Sequence, residues 1–313
     1  MKAFVLEDFD SESALRDLPQ PEPAEAQVAV RVNGSSVNPV DNAIGSGGLR
    51  GMAEYEFPVI LGRDFAGVVG EVGEGVDAYT KGDEVFGFLA ATDPEVHNGA
   101  WTELALVPTA GGHVTKKPAE VDFASAGAAS VAALTALAAI NVLELKEGET
   151  VLIVGATGGV GSFAVQLVKR AGAHVIAPGL PEDEGYLVDL GADHVIPRDG
   201  DVAAQARELK SGGVAALIDA VSYSPEELEV YAAALADAGR VASPTSAAGE
   251  GPGRHNVNGS GSDGAIEQLA RLLADGALRV PIQRTYPLEE AGAALSDLPG
   301  MHTQGKLAIA VAT

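Results

Sequence analysis

The spacing of apolar residues changes near residue 123. Before that point, short valine-rich runs predominate: residues 28–32 are nearly all β-branched or alanine, and residues 67–76 alternate valine with glycine. The turn-forming residues 81–83 then precede a strand-like segment at 84–89. β-Branched runs bounded by glycine-rich turns are typical of strands. The pattern therefore predicts an all-β arrangement for the first part of the chain.

After residue 123 the chain becomes rich in alanine and leucine, and from residue 151 strand-like and helix-like segments alternate. Such alternation predicts a parallel sheet with crossover helices. The predicted strands are 151–155, 174–177, 194–196, 216–220 and 239–243, and the helices between them are 162–171, 182–190 and 225–236. A Gly/Ser-rich loop is predicted at 249–264, an amphipathic helix at 264–275 and a last strand at 306–311.

Length and charge limit the functions to consider. A chain of 313 residues is long enough for about two domains. The formal net charge of −24 disfavours binding to nucleic acids or acidic membranes. The absence of cysteine excludes disulfides and thiolate zinc ligands, and the start MKAFVLEDFD lacks the long apolar stretch of a signal peptide. We expect a cytoplasmic protein without a membrane helix.

The segment VLIVGATGGVGS, residues 151–162, places glycines between a predicted strand and a predicted helix. This is the setting of a dinucleotide-binding turn, in which one glycine lets the backbone approach a pyrophosphate and another lets the helix pack on the sheet. A glycine turn that serves packing alone is the alternative. We take Ala156 as the first position of the pattern, and the residues assigned to the cofactor are Ala156, Thr157, Gly158, Gly159, Val160 and Gly161. The chain has neither the P-loop motif nor the G-x-S-x-G motif of α/β-hydrolases.

Further motifs occur in a characteristic order: SSVNPVD at 35–41, ILGRDFAGVVGEVG at 60–73, KGDEVFG at 81–87, LTAL at 134–137, the glycine turn, RTYPLEEAGAAL and GKLAIAV. With them the chain resembles the medium-chain dehydrogenase/reductase superfamily over nearly its whole length, and most of all the zinc-free quinone oxidoreductase branch related to zeta-crystallin. The resemblance implies an α/β protein with a GroES-like β-rich catalytic domain at 1–121, a Rossmann domain with a doubly wound parallel sheet at 122–253, and a return to the catalytic domain at 254–313. It also implies that substrate and nicotinamide meet in a cleft, and that the protein is a homodimer, which we expect to involve residues 241–248.

Zinc-dependent relatives hold a catalytic metal with a cysteine, the histidine of a Gly-His-Glu motif, and a third ligand before the cofactor domain. The matching positions here carry Asn38, Gly62-Arg63-Asp64 and approximately Val131. Asparagine, arginine and valine do not form a zinc site, because zinc prefers imidazole, thiolate or carboxylate ligands. The resemblance therefore implies an enzyme without a metal.

Without a Lewis acid, hydride donation from a reduced nicotinamide to an electron-poor quinone or activated enone is favoured over alcohol oxidation. The resemblance places Asn38 and Asp41 at the active site and Thr135 near the nicotinamide, and it assigns Lys306 to the cofactor. Asn38 is either a donor to the developing negative charge or a turn residue before Pro39. Asp41 either accepts a proton or fixes the loop, and Arg63 either faces the cleft or pairs with an acid.

Two aromatic residues bear on the substrate. Some enoyl reductases of the superfamily carry a tyrosine proton donor soon after the NP-x-D motif, whereas the next tyrosine here is Tyr55. The absence of a tyrosine close to the motif disfavours enoyl thioester reduction without excluding it. Trp101, the one tryptophan, either packs in the core or lines the substrate mouth.

The choice between NADPH and NADH depends on the end of the second strand of the cofactor domain. NAD-specific folds place an acid there, and this chain has Gly179. The following residues are acidic rather than basic, and Arg198 is the nearest basic candidate for a 2′-phosphate. We expect a modest preference for NADPH, with NADH possible. The alternatives to a quinone or enone reductase are a pathway-specific double-bond reductase and a non-catalytic sensor of NADPH.

Overall fold

The computed structural model describes residues 1–52, 54–90, 97–111, 113–259 and 263–311. Its contacts divide the chain into two compact units. The first unit comprises Met1–Val131, Asp263–His302 and Lys306–Thr313, and the second comprises Ala132–Ser262 and Thr303–Gly305. No helix in the described ranges is long and apolar enough to cross a membrane.

Two sheets form the framework of the first unit. One has the strand order β2-β1-β4, and the other has the order β15-β16-β3-β5-β6-β8, with β7 also paired to β3. The strands are β1 (Lys2–Leu6), β2 (Ala14–Asp17), β3 (Gln27–Ser36), β4 (Val59–Ile60), β5 (Asp64–Val72), β6 (Glu84–Phe88), β7 (Leu104–Pro108), β8 (Val114–Lys116), β15 (Ile282–Pro287) and β16 (Lys306–Ala310). The β-rich prediction for this part of the chain is confirmed, and in β3 the alternate residues Val28, Val30 and Val32 lie on one face of the strand and are buried.

The second unit is built on a sheet in which every pairing is parallel. The strand order is β11-β10-β9-β12-β13-β14, which reverses direction at β9 as in a doubly wound fold. The strands are β9 (Thr150–Val154), β10 (His174–Gly179), β11 (His194–Pro197), β12 (Val214–Asp219), β13 (Leu235–Ser243) and β14 (Arg254–Asn256). The predicted parallel sheet is confirmed, and β9 is buried along its whole length, as central parallel strands are.

Helices connect and flank these strands. They are α1 (Pro39–Gly45), α2 (Phe123–Gly127), α3 (Ser130–Leu143), α4 (Gly159–Arg170), α5 (Glu184–Leu190), α6 (Val202–Leu209), α7 (Pro225–Ala232), α8 (Ala265–Ala274) and α9 (Ala291–Gly300), and two short 3-10 helices occur at Pro181–Asp183 and Leu288–Glu290. Helix α7 ends before the predicted residue 236, because Leu235 already begins strand β13.

The structure changes two boundaries from those predicted. Helix α2 belongs to the first unit because it packs directly on β3: a Cβ on Gly34 would lie 2.3 Å from the carbonyl oxygen of Phe123. The second unit continues beyond residue 253 because β14 pairs with β13, so a continuous loop at 249–264 was a wrong prediction. The same pairing places β13 inside the sheet, where Val241 and Ala242 are buried. Residues 241–243, part of the segment at which we expected a dimer contact, therefore lie inside the sheet, and among the described strands β14 lies at its edge.

Candidate active site

Asn38 lies at the junction between β3 and α1. Its backbone is extended, with φ −131° and ψ 156°, and Pro39 begins the helix. The Asn38 N–H donates to Asp41 Oδ2 at 2.7 Å, and the Asp41 N–H donates back to the Asn38 carbonyl at 3.0 Å. The turn role that the sequence allowed for Asn38 is therefore present, and Asp41 fixes this turn.

The side-chain amide of Asn38 is held at both ends. Lys306 Nζ donates to Asn38 Oδ1 at 2.5 Å, and Asn38 Nδ2 donates to Asp64 Oδ2 at 2.8 Å. These residues are distant in the sequence, but β16 and β5 both pair with β3 in the sheet, and Lys306 and Asp64 are the first residues of those strands. The sheet order therefore brings the three side chains together.

Asp64 is the centre of the hydrogen bonds around this turn. Its Oδ2 also accepts the hydroxyl of Ser36 at 2.6 Å, and its Oδ1 accepts the backbone N–H of Val131 at 2.7 Å. Lys306 Nζ lies 3.7 Å from the same Oδ2 and donates to the Val37 carbonyl at 3.1 Å. Burial lowers the pKa of Lys306, and the nearby Asp64 and Asp41 oppose this shift. Both charged groups are buried, so removal of either one would leave the other as an uncompensated charge in the protein interior.

Of the two alternatives for Arg63, facing the cleft or pairing with an acid, the structure shows the second, and the acid is Asp41. Arg63 Nη2 donates to the Ile60 carbonyl at 2.9 Å and Nη1 to the Ala90 carbonyl at 3.2 Å, while Nε lies 4.0 Å from Asp41 Oδ1. Desolvation raises the pKa of Asp41 to about 7, although Arg63 and the Asn38 N–H act in the opposite direction. Desolvation also lowers the pKa of Arg63 to about 10.

Trp101 is a core residue in the structure. It is fully buried against Phe4, with ring centroids 5.9 Å apart, and its Nε1 donates to the Ser36 carbonyl at 3.3 Å. A Cβ on Gly62 would lie 2.2 Å from Trp101 Cδ1, and Gly62 has φ +88°. Trp101 thus holds the backbone immediately before Arg63, and the core alternative proposed for it is confirmed.

The glycine turn lies in the second unit, between β9 and α4. Gly155 has φ +81°, and a Cβ on Gly161 would lie 2.0 Å from the Gly155 carbonyl oxygen, so packing alone requires glycine at both positions. Gly155 forms the left-handed turn, and Ala156, which we took as the first position of the pattern, is a buried core residue. A Cβ on Gly158 would approach no protein atom closer than 3.5 Å. Packing therefore leaves room for a side chain at Gly158.

The geometry of the turn fits the pyrophosphate of a dinucleotide. Gly158 caps α4, whose first backbone amides have no partner within the helix and whose dipole favours an anion. Thr157, Gly159 and Val160 are partly exposed around this terminus. Residues Thr303–Gly305 also belong to the second unit, and the Gly305 N–H donates to the Thr157 carbonyl at 2.7 Å. No local sequence pattern indicates this contact, because these residues are far from the turn in the chain.

The residues that we assigned to the 2′ position of the adenosine ribose lie at the ends of β10 and β11. The Arg198 N–H donates to the Gly179 carbonyl at 3.0 Å, and the Arg198 side chain is exposed. Gly179 is not surrounded by open space, since a Cβ there would lie 2.9 Å from Leu187 Cδ1 and 3.2 Å from Asp183 Cβ. Asp183 is buried, and its carboxylate accepts the Leu180 N–H and the Gln304 amide, each at 2.8 Å. Thr135, the remaining cofactor candidate, is buried on α3.

Comparison with known proteins supports the assignment to a family. The model for the alcohol dehydrogenase GroES-like domain matches residues 24–119, and the model for zinc-binding dehydrogenases matches residues 190–309. The human NAD(P)H oxidoreductase RTN4IP1, mitochondrial, is 30% identical over 331 residues, covering 91% of this chain and 82% of its own. The chain belongs to the medium-chain dehydrogenase/reductase superfamily. Within it, the chain belongs to the quinone oxidoreductase branch.

Other members of the superfamily are also similar. The chloroplast envelope quinone oxidoreductase homolog of Arabidopsis thaliana is 38% identical over 185 residues, covering 57% of this chain and 54% of its own. Acryloyl-coenzyme A reductase of Metallosphaera sedula is 30% identical over 219 residues, covering 63% of this chain and 64% of its own. The structure of the quinone oxidoreductase from Coxiella burnetii has a TM-score of 0.85 and 28% identity, covering 100% of this chain and 99% of that one. An NAD-dependent alcohol dehydrogenase has a TM-score of 0.87 and 26% identity, with 100% of each chain covered.

The superfamily includes zinc enzymes, but the residues at the zinc-ligand positions of this member do not fit a zinc ion. Asn38 turns its oxygen toward an ammonium group, and Arg63 places a second cation at the position of the histidine ligand. The backbone N–H of Val131, at the third position, is already bonded to Asp64. Across the described ranges no three His, Cys, Asp or Glu side chains are grouped as metal ligands. Lys306 and Arg63 occupy the polar contacts at this place, and neither an ammonium nor a guanidinium group is a zinc ligand.

Sequence reasoning assigned neither Asp64 nor Tyr55 to the site. In the sequence, Asp64 stood out only because it follows Arg63, which occupies the position of a zinc ligand in zinc-dependent relatives. In the structure, the Asp64 carboxylate contacts Ser36, Asn38, Val131 and Lys306. Tyr55 donates to the Ile44 carbonyl on helix α1 at 3.4 Å, and burial raises its pKa while Arg63 lowers it. The sequence could have indicated a buried partner for Lys306, because it is the one charged residue in the apolar run GKLAIAV and a buried charge requires a partner.

Proposed function

We propose that this member of the superfamily is an NADPH-dependent oxidoreductase that reduces a quinone or an activated enone without a metal ion. Related proteins are named as NAD(P)H and quinone oxidoreductases. The observation that carries the proposal is the buried cluster at the zinc-ligand positions, which offers the neutral amide of Asn38 where zinc relatives offer a metal. The bound nicotinamide would supply a hydride, that is, a proton with two electrons.

Asn38 is the residue that we assign to the substrate. Its Nδ2 carries two N–H bonds, and the hydrogen bond to Asp64 uses one of them. Hydride addition to the β-carbon of an enone moves an electron pair onto the carbonyl oxygen, and the second N–H of Asn38 would donate to that oxygen. The α-carbon then takes a proton from solvent, which completes the saturated ketone. One donor of this kind contributes about 10²–10³-fold to a rate.

Asp41 and Arg63 support this donor rather than exchange a proton with the substrate. Asp41 Oδ2 holds the Asn38 N–H, and both side chains are almost completely buried. The guanidinium of Arg63 is bonded to the carbonyls of Ile60 and Ala90, which fixes the segment that leads into β5. We therefore propose that both residues stabilise the conformation of the Asn38 turn.

For the cofactor, we propose that the residues of the glycine turn bind the pyrophosphate and that Arg198 binds the 2′-phosphate of NADPH. The backbone bond between Arg198 and Gly179 anchors Arg198 at the end of β10, where the 2′ position is recognised in this fold. Asp183, which lies beside Gly179, has both carboxylate oxygens engaged within the protein and is buried. This arrangement favours NADPH and leaves NADH as the weaker ligand.

A second candidate function is reduction of a carrier-bound or coenzyme A-bound double bond. It is favoured by the similarity to acryloyl-coenzyme A reductase and by the position of Tyr55 against α1, the helix that carries Asp41. Both functions share the hydride step and differ in the group that the substrate carries. A non-catalytic sensor of NADPH is the alternative outside the enzymes.

One assay separates these functions. Oxidation of NADPH is followed by absorbance with a panel of quinones, enones and enoyl thioesters, and NADPH binding is measured in parallel by calorimetry. Turnover with quinones or enones supports the proposal, and turnover confined to enoyl thioesters supports the second candidate. Binding without oxidation across the panel would contradict both and support the sensor.

We also propose that the protein is a cytoplasmic homodimer. Val230 on α7 has an exposed side chain, and its neighbour Glu229 is paired with Arg254 on β14 at 2.5 Å. Among the described strands β14 lies at the edge of the sheet, so an exposed apolar residue adjoins a strand edge. A monomer in light scattering at micromolar concentration would contradict the dimer. The names of two relatives refer to mitochondria and to the chloroplast envelope, so fractionation of the source cells tests the location.

A further inference from the structure

Lys306 and Asp64 bind opposite ends of the same amide. An ammonium group can only donate hydrogen bonds, and an ionised carboxylate can only accept them. Lys306 must therefore face the oxygen of Asn38, and Asp64 must face its nitrogen, as observed at 2.5 Å and 2.8 Å. A rotation of the amide by 180° would place the oxygen of Asn38 against the carboxylate and its N–H bonds against the ammonium, which is unfavourable at both ends.

The two charged groups are themselves held in place. Lys306 also donates to the Val37 carbonyl at 3.1 Å, one residue before Asn38. Asp64 accepts from Ser36 at 2.6 Å and from the Val131 N–H at 2.7 Å. Lys306, Val37, Ser36 and Asp64 are buried, so water competes little for the bonds among them and their geometry is rigid.

We propose that Lys306 and Asp64 are positioning residues that orient the amide of Asn38, so that its second N–H is presented to the substrate in one direction. The inference rests on the proposed role of Asn38 as the donor to the substrate oxygen. It gives Lys306 a role different from the cofactor contact expected from the sequence. It also explains how the site operates without zinc, because the buried ammonium is a built-in cation that holds Asn38 instead of a metal.

The test is a double-mutant cycle with the best substrate of the panel. The variants are Asn38→Ala, Lys306→Met and the double variant, and the quantities measured are kcat, KM and the Kd of NADPH. We expect Asn38→Ala to lower kcat about 100-fold, as for the loss of an oxyanion donor, and Lys306→Met to lower it about tenfold. We expect the Kd of NADPH to change less than about twofold in each variant. In the Asn38→Ala background, Lys306→Met should have no further effect on kcat, because the residue it positions is gone.

Lys117→Met is the matched control. Lys117 is a second buried lysine of the first unit, and it donates to the carbonyls of Pro118 and Val121 and pairs with Glu84. Its loss should lower stability while leaving kcat unchanged. Should Lys306→Met fail to fold, Asp64→Asn enters the same cycle, since an amide at this position no longer imposes the orientation of Asn38.

The outcomes separate the two claims. If Asn38→Ala retains the wild-type kcat, the proposed function of Asn38 is wrong, and the inference falls with it. Asn38→Ala could lower kcat while the double variant shows the full product of the two single losses in kcat. In that case Asn38 is the donor, but the positioning role of Lys306 (or of Asp64, if Asp64→Asn is used) is overturned. A rise in the Kd of NADPH at unchanged kcat would instead assign Lys306 to the cofactor.

Discussion

Asp41 Oδ1 and Arg63 Nε lie 4.0 Å apart in the interior of the first unit, and neither atom has a hydrogen-bond partner among the described residues. Their attraction acts in a desolvated environment, but it does not offset the penalty of burying the Asp41 carboxylate, whose pKa rises to about 7. The Asp41 carboxyl group is therefore a buried group that changes its charge near neutral pH.

This pair makes stability depend on pH. The pKa of Asp41 is higher in the folded protein, about 7, than the ordinary value of 3.8 that applies when it is unfolded. The folded state thus binds the proton more tightly, so the contribution of Asp41 is fully present below pH 3.8 and is lost as pH rises through about 7. We predict that Asp41→Asn is more stable than the wild type at pH 8, by an amount that shrinks as the pH falls toward 5.

Denaturant unfolding of both proteins at a series of pH values measures this difference. The difference between the folded and unfolded pKa values of Asp41 limits the pH-dependent change in unfolding free energy to on the order of 4 kcal/mol. A difference between Asp41→Asn and the wild type that does not vary with pH would show that Asp41 is ionised throughout.

Two glycines of the same turn should behave differently. Gly161→Ala places a Cβ 2.0 Å from the Gly155 carbonyl oxygen, so we predict that it lowers the thermal midpoint by several degrees. Gly158→Ala meets no protein atom within 3.4 Å, so we predict a normal thermal midpoint together with a weakening of NADPH binding of about tenfold or more. Thermal unfolding and calorimetric titration decide this, and tight NADPH binding by Gly158→Ala would indicate a turn that serves packing alone.

Arg198 should distinguish the two cofactors. A charge-assisted hydrogen bond to a 2′-phosphate is worth about 1.5–3 kcal/mol, which corresponds to roughly ten- to 150-fold in affinity. We predict that Arg198→Ala weakens NADPH binding within this range and leaves NADH binding nearly unchanged. Arg170→Ala, which removes an exposed arginine from the other end of α4, is the control and should affect neither. Equal losses for NADPH and NADH in Arg198→Ala, or a wild-type preference for NADH, would overturn the assignment.

Metal analysis tests the replacement of zinc. We predict that the purified protein holds less than a stoichiometric amount of zinc, and that chelators do not change its activity, because Lys306 and Arg63 supply the positive charge at this place. One equivalent of zinc that resists chelation would contradict the placement of Lys306.

The sequence predicted the framework well, because the framework depends on local patterns. Alternating valines and glycine turns locate strands such as β3 and β6, and the continuous apolar run of β9 followed by the glycine turn locates the parallel sheet. Strand β14 was missed because it is only three residues long and lies in a glycine-rich segment, where pairing with β13 overrides local preference.

The sequence predicted the candidate site less completely, because the site is made of long-range contacts. The motif NPVD indicated Asn38 and Asp41, and the lost zinc ligands drew attention to Arg63. The bond between Lys306 and Asn38 joins residues 268 positions apart, and no local pattern encodes it. It follows from the position of β16 beside β3, which only the folded sheet reveals.

The central claim is hydride transfer from NADPH to a substrate whose developing charge is held by Asn38. The most direct measurement uses NADPH deuterated at C4 with an activated enone, followed by mass spectrometry of the product. We predict a saturated ketone that carries one deuterium at the β-carbon, formed at least ten times more slowly by Asn38→Ala with unchanged NADPH binding. Consumption of NADPH without deuterium in the product, or formation of the same product by Asn38→Ala at the wild-type rate, would contradict the account.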